Sequence, residues 1–99
     1  IDGTVVPSAA AGALPIVPSE ALRTLRYQRD QFGDRIYGPY GFANAHNPAT
    51  GWVSRDVIGI DTGISLLMAE NLRTGRVWST FMQHPAAIRA TKLAGFTHG

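Results

Sequence analysis

The stretch from residue 33 to residue 59, GDRIYGPYGFANAHNPATGWVSRDVIG, constrains the fold more than any other part of the chain. Its five glycines and two prolines interrupt regular helix, yet they are interleaved with Tyr37, Tyr40, Phe42 and Trp52. Structureless connections longer than about 12–15 residues are uncommon in compact domains and tend to be functional or disordered. A disordered linker is poor in aromatic residues, so this segment is expected to be an ordered, working loop. Tyr37 and Phe42 suit a small satellite core. Tyr40 and Trp52, each beside a glycine, suit a binding surface.

Helical patterns flank the loop. Pro18 fits a first helical turn, Glu20 complements the positive helix end, and Leu22, Leu25 and Phe32 recur at helical spacing until Gly33. Before them, VVPSAAAGALPIVP reads as extended or turning backbone. From Asp61 onward Ile64, Leu67, Met68 and Leu72 form one face, while Ile60, Leu66 and Ala69 lie elsewhere on the wheel. A helix apolar almost all round is expected to be buried. Gly75 punctuates it, Val77, Trp78, Phe81 and Met82 form a short run ending near His84, and Pro85 opens a last helix that Gly95 stops.

Size and charge exclude several classes. Ninety-nine residues make at most one small domain, and a chain this short removes only about 60–65% of its unfolded surface from water. Its core is therefore marginal unless it packs on something else. The net charge is +2 and the nine Lys and Arg are scattered, which gives no footprint for nucleic acid or an anionic membrane. Without cysteine there are no disulfides, thiolate metal sites or Cys nucleophile. No apolar run reaches the roughly 20 residues of a membrane span. The chain starts at Ile1 and shows no signal peptide, so an upstream part is expected.

The possible chemistry is correspondingly narrow. His46, His84 and His98 lack metal-ligand spacing, the serines lack a G-x-S-x-G context, and no phosphate-binding glycine pattern occurs, so neither a metal nor another cofactor is expected. What remains is carboxylate chemistry with aromatic and amide neighbours, the vocabulary of carbohydrate sites. From the residues alone Asp61 reads first as a helix N-cap, worth about 0.5–2 kcal/mol, and second as a catalytic carboxylate. Glu70 stands three residues before Arg73, so an ion pair competes with any binding role. Asp30, Asp34 and Asp56 sit among arginines and read as solvated.

Six motifs in order carry a resemblance: DGTVVPSAAAGALPIVP, IYGPYGF, NPATGWVS, IGIDTG, LLMAENLRTGRVW and AGF. Together they resemble the C-terminal end of the bacterial glycoamylase-like family, which includes endo-β-1,2-glucanases and the related domain of cyclic β-1,2-glucan synthases. The likeness runs from Asp2 to Phe96. It departs from the family pattern at Asn44 to Asn47, where an Asp-Ala-Phe-Asn-like stretch is usual, at Thr62 to Ile64, where Gln-Gly-Pro is usual, and at Leu72, commonly Tyr.

The resemblance implies an all-α fold, the terminal portion of an (α/α)6 toroid whose helices are joined by the long glycine- and aromatic-rich loop. Residues 1–99 would be the C-terminal part of one glycoside hydrolase barrel, incomplete and inactive alone, whose partner is the remaining N-terminal part of that barrel. The implied activity is hydrolysis of β-glucan, β-1,2-glucan foremost, by two carboxyl groups, one protonating the leaving oxygen and one activating water. Asp61 takes the base role and the acid comes from outside this sequence. Trp52 and Tyr40 are expected to stack on sugar rings, and Asn44, Asn47 and Glu70 to bind hydroxyls. Enzymes of this kind act on exported glucans, which implies a periplasmic or secreted location. The competing reading is a non-catalytic helical module that binds a glycan or a protein.

Overall fold

The computed structural model describes residues 1–97. His98, weighed above as a metal ligand, lies outside the described residues. The chain forms α1 (Pro7–Gly12) and α2 (Pro18–Phe32), then a 3-10 turn at Gly33–Arg35. Strands β1 (Tyr37–Gly38), β2 (Gly41–Phe42), β3 (Ala45–Asn47) and β4 (Trp52–Ser54) follow, and then α3 (Gly59–Thr74), α4 (Arg76–Phe81) and α5 (Pro85–Leu93).

Proline opens three of these helices. Pro7, Pro18 and Pro85 stand in the first turn, where a missing N–H costs no helical hydrogen bond. The extended backbone expected around PSAAAG is instead the short helix α1. Its small side chains let it approach α3 closely: a Cβ built on Gly12 would stand 3.6 Å from the Ile64 side chain. Gly75 closes α3 in the left-handed region (φ +69°) and its N–H donates to Asn71 O, a conformation glycine adopts without Cβ strain. Asn71 is itself buried, and its Oδ1 accepts from Trp78 N at 3.0 Å, fixing the bend from α3 into α4.

The long loop is a second correction, because it folds as two antiparallel hairpins rather than as irregular chain. In the first, Tyr37 pairs with Phe42 and Gly38 with Gly41, and the Tyr37 and Phe42 rings meet edge to face at 4.8 Å. In the second, Ala45, His46 and Asn47 pair with Ser54, Val53 and Trp52. The other edge of β3 is also taken, since Val5 N donates to His46 O at 2.7 Å and His46 N to Val5 O at 2.9 Å. The fold is therefore mainly helical with a small strand region at its centre.

The buried core is correspondingly slight: Ala11, Leu14, Ala21, Ile36, Ala43 and Ala45, with Pro7 fully enclosed. Contrary to the expectation of a buried helix, α3 exposes much of its apolar surface; Ile60 is 77% and Leu66 70% exposed. The radius of gyration is 16.0 Å, against about 13 Å for a compact domain of this length. The accessible surface is 7380 Å², where a compact monomer of 10.6 kDa would show about 5,500 Å².

His46 is 2% exposed, packs its ring on Phe32 at 4.7 Å and shares a 3.3 Å hydrogen bond with Gln28 Oε1. Burial first, and the Arg35 guanidinium second, pull its pKa below the ordinary value. An unfolded histidine takes up its proton near about pH 6.5, and the folded chain resists that proton. The folded state therefore loses stability as pH falls below about 6.5 and is unaffected above it. Urea midpoints of the protein should be lower at about pH 5.5 than at about pH 7.5, and His46→Gln, which cannot charge, should reduce that difference.

Candidate active site

Asp61 is the third residue of α3, one turn in from Ile58, which occupies the cap position. Its backbone oxygen accepts from Ser65 Oγ at 2.7 Å. Its side chain does not do what a capping carboxylate does: among the described residues, Oδ2 is buried and has no hydrogen-bond partner. A buried polar atom left unpaired costs about 1–3 kcal/mol, more when charged, so such an atom marks a place where a donor is due. The helix N-terminus partly offsets that cost, because its free N–H groups favour negative charge.

The carboxylate lines a hollow of about 250 Å³. Ser8 and Ala11 of α1 contribute one side, Leu25 of α2 another, Thr62 and Ser65 the α3 side, and the tip and flank of the first hairpin close it. That hairpin also walls a second, larger cleft of about 660 Å³, and Tyr37, Tyr40 and Gly41 line both. The far side of the cleft is built from Gly51, Val53, Arg55 and Val57. These alternate residues share one face of extended chain, as the two-residue period of a strand requires. Arg35 reaches across it, its Nη2 donating to Gly51 O at 3.1 Å.

Of the residues expected from the sequence to be catalytic or sugar-binding, the structure brings Tyr40 and Asp61 to the same hollow, beside Tyr37 and Phe42, and leaves the others elsewhere. Trp52 lines neither cavity. It lies one residue out of phase with Val53 and Arg55, so the pleat turns it to the opposite face. Asn44 is half-buried and its backbone N–H donates to Asp56 O at 3.0 Å. Asn47 is buried and committed to the chain itself: Nδ2 donates to Asp2 O at 2.9 Å, and Oδ1 accepts from Ala49 N and Thr50 N. Glu70 pairs with Arg73 through two 3.0 Å hydrogen bonds, which pull its pKa down and raise that of Arg73.

Arg35, Arg55, Leu25 and Ser65 are site-lining residues that the sequence reading passed over. The alternation of Gly51, Val53, Arg55 and Val57 was the available signal for one of them. Among the described residues, no group of three or more His, Cys, Asp or Glu is placed to hold a metal ion, and no helix is long and apolar enough to cross a membrane.

The known proteins that this chain is similar to include glycoside hydrolases. The exo-β-1,2-glucooligosaccharide sophorohydrolase of Parabacteroides distasonis is 34% identical over 84 residues, 85% of this chain and 12% of that enzyme. The crystal structure of a β-1,2-glucanase from Parabacteroides distasonis matches with a TM-score of 0.83 and 32% identity, over 93% of this chain and 13% of that one. The endo-β-1,2-glucanase of Chitinophaga pinensis, in complex with sophorotriose and glucose, matches with a TM-score of 0.79 and 29% identity, over 91% of this chain and 22% of that one. Residues 1–85 match the Glycoamylase family, described as putative glucoamylase, and the chain belongs to that family. It spans about an eighth to a fifth of the length of these relatives.

The engagement of Asn47 by three backbone groups makes a prediction. Asn47→Ala should destabilise the protein by about 1–3 kcal/mol through the polar groups it strands. Its effect on sugar affinity, measured on the folded variant by calorimetry, should be small beside the loss in unfolding free energy.

Proposed function

We propose that this segment forms one flank of the active-site groove of a glycoside hydrolase that cleaves β-glucan, β-1,2-glucan foremost, with Asp61 as the catalytic base. One observation carries the reading: a carboxylate oxygen, buried and without a partner among the described residues, at the wall of a hollow lined by tyrosine and hydroxyl side chains. The β-1,2-glucans in the names of the similar enzymes support the choice of substrate.

In this reading the Asp61 carboxylate accepts a hydrogen bond from the attacking water. As that water's oxygen bonds to the anomeric carbon, its proton passes to the carboxylate. The glycosidic bond breaks in the same step, and a second carboxyl group protonates the departing oxygen. For a base acting through water the two groups stand about 6.5–9.5 Å apart. Among the described residues Asp61 is the one acidic side chain lining the hollow, so in this reading the acid is supplied by the rest of the protein.

The same remainder completes an (α/α)6 toroid and covers what this segment leaves bare. Ile60, Leu66, Leu67 and Leu93 are more than half exposed, and the surface exceeds that of a compact monomer by about 1,900 Å². A stable interface needs about 800 Å² from each partner, so the excess suffices for a permanent one. Action on polymeric glucan fits a periplasmic or secreted enzyme.

The single carboxylate in the hollow also favours a second reading, a non-catalytic module that only binds glycan. Asp61→Asn in the complete protein separates the two. Removal of a general base should lower kcat on β-1,2-glucooligosaccharides by about 10²–10⁴-fold. The melting temperature should hold, because the amide keeps the size and shape of the carboxyl group. Undiminished turnover would refute the assignment, and sugar binding without hydrolysis by the wild-type protein would establish the module.

A further inference from the structure

The hollow at Asp61 is too small for more than the end of a glycan. At about 250 Å³ it falls below the range of about 300–1,000 Å³ typical of pockets that take a whole ligand, whereas the cleft on the other side of the tyrosine hairpin, at about 660 Å³, falls within it. The two are not separate features. Tyr37, Tyr40 and Gly41 line both, so the hairpin tip is a low ridge between them, and Tyr40 on its crest is 78% exposed.

The cleft carries the donors and flat surfaces that sugars use. Among the described residues, Arg55 forms no ion pair or side-chain hydrogen bond. Arg35 spends one N–H on Gly51 O, which fixes its guanidinium and leaves further donors free. A Cβ built on Gly51 would stand 3.3 Å from Arg35 Nη2, so the absence of a side chain there lets the guanidinium lie against the strand. Asp34 lines the same cleft and supplies an acceptor. Guanidinium and carboxylate groups bind the hydroxyls of a pyranose ring by charge-assisted hydrogen bonds, and a tyrosine ring packs against its apolar face.

We infer that a glucan chain seated at Asp61 crosses the Tyr40 ridge and continues into this cleft, where Arg55, Arg35 and Asp34 bind sugar residues remote from the bond that is cut. The inference rests on the proposed glycan-binding groove, and it makes Arg55 a determinant of chain-length preference rather than a catalytic residue. Short oligosaccharides fill the hollow alone. Longer ones gain the cleft.

The test measures binding separately from catalysis. In the complete protein carrying Asp61→Asn, affinities for β-1,2-glucooligosaccharides of two to eight glucose units are measured by calorimetry, with and without Arg55→Ala. The long-to-short affinity ratio should fall by about tenfold or more when Arg55 is removed, the loss expected of one charge-assisted hydrogen bond. Arg55→Lys should recover part of that ratio. Arg55 lies on an exposed strand extension without hydrogen bonds from its side chain, so folding should survive, as an unchanged melting temperature would show. A ratio that does not change, or an equal loss at every length, would overturn the inference. Turnover retained by Asp61→Asn would instead overturn the catalytic assignment and leave the length dependence standing.

Discussion

The site is held in place by a three-residue strand. Ala45, His46 and Asn47 are all buried, and both edges of this strand are hydrogen-bonded, one to β4 and the other to Val5. An edge occupied on both sides cannot slip in register without turning its side chains inside out, and here each side chain has a fixed task. His46 joins the strand to α2 through Gln28, while Asn47 ties it to Asp2 and turns the chain toward Trp52. With the strand fixed, the first hairpin before it and the approach to α3 after it are positioned, and these are the two walls that meet at Asp61.

A core made mostly of alanine cannot supply this rigidity by apolar burial, because an alanine side chain removes little surface from water. Backbone pairing and buried polar side chains take its place. Such groups are directional, so they specify geometry even where they contribute little net stability. The cost is that apolar stability must come from elsewhere. The faces of α3 and α5 leave the corresponding apolar area uncovered, with Ile60, Leu66 and Leu93 all more than half exposed.

Much of this organisation is legible in the sequence where a residue acts through its own backbone. Proline and glycine locate the ends of α2, α3 and α5, because their effects depend on φ and on the N–H group and not on distant neighbours. The motifs that carry the family likeness likewise identify Asp61 and Tyr40 as companions, which the residues alone do not. Legibility fails where the decision is tertiary. PSAAAG has no amphipathic stripe, and its helix exists because small residues permit contact with α3. Trp52 attracts attention by its size, yet the strand phase that turns it away from the cleft is set by pairing with Asn47. Asn47 carries the groups of a sugar ligand but spends them on the backbone, and no local pattern distinguishes the two uses.

The hairpin between the two hollows joins fold to chemistry more directly than any catalytic group. Tyr37 is fixed by its cross-strand contact with Phe42, and that pair also lines the Asp61 hollow, so the ring that braces the hairpin is the ring that bounds the site. Tyr40 stands at the turn between Pro39 and Gly41, and its ring is 78% exposed. A ridge built this way is rigid at its base and open at its crest. The same two tyrosines thus join the small hollow at Asp61 to the larger cleft beyond, and the geometry of both depends on one cross-strand pair.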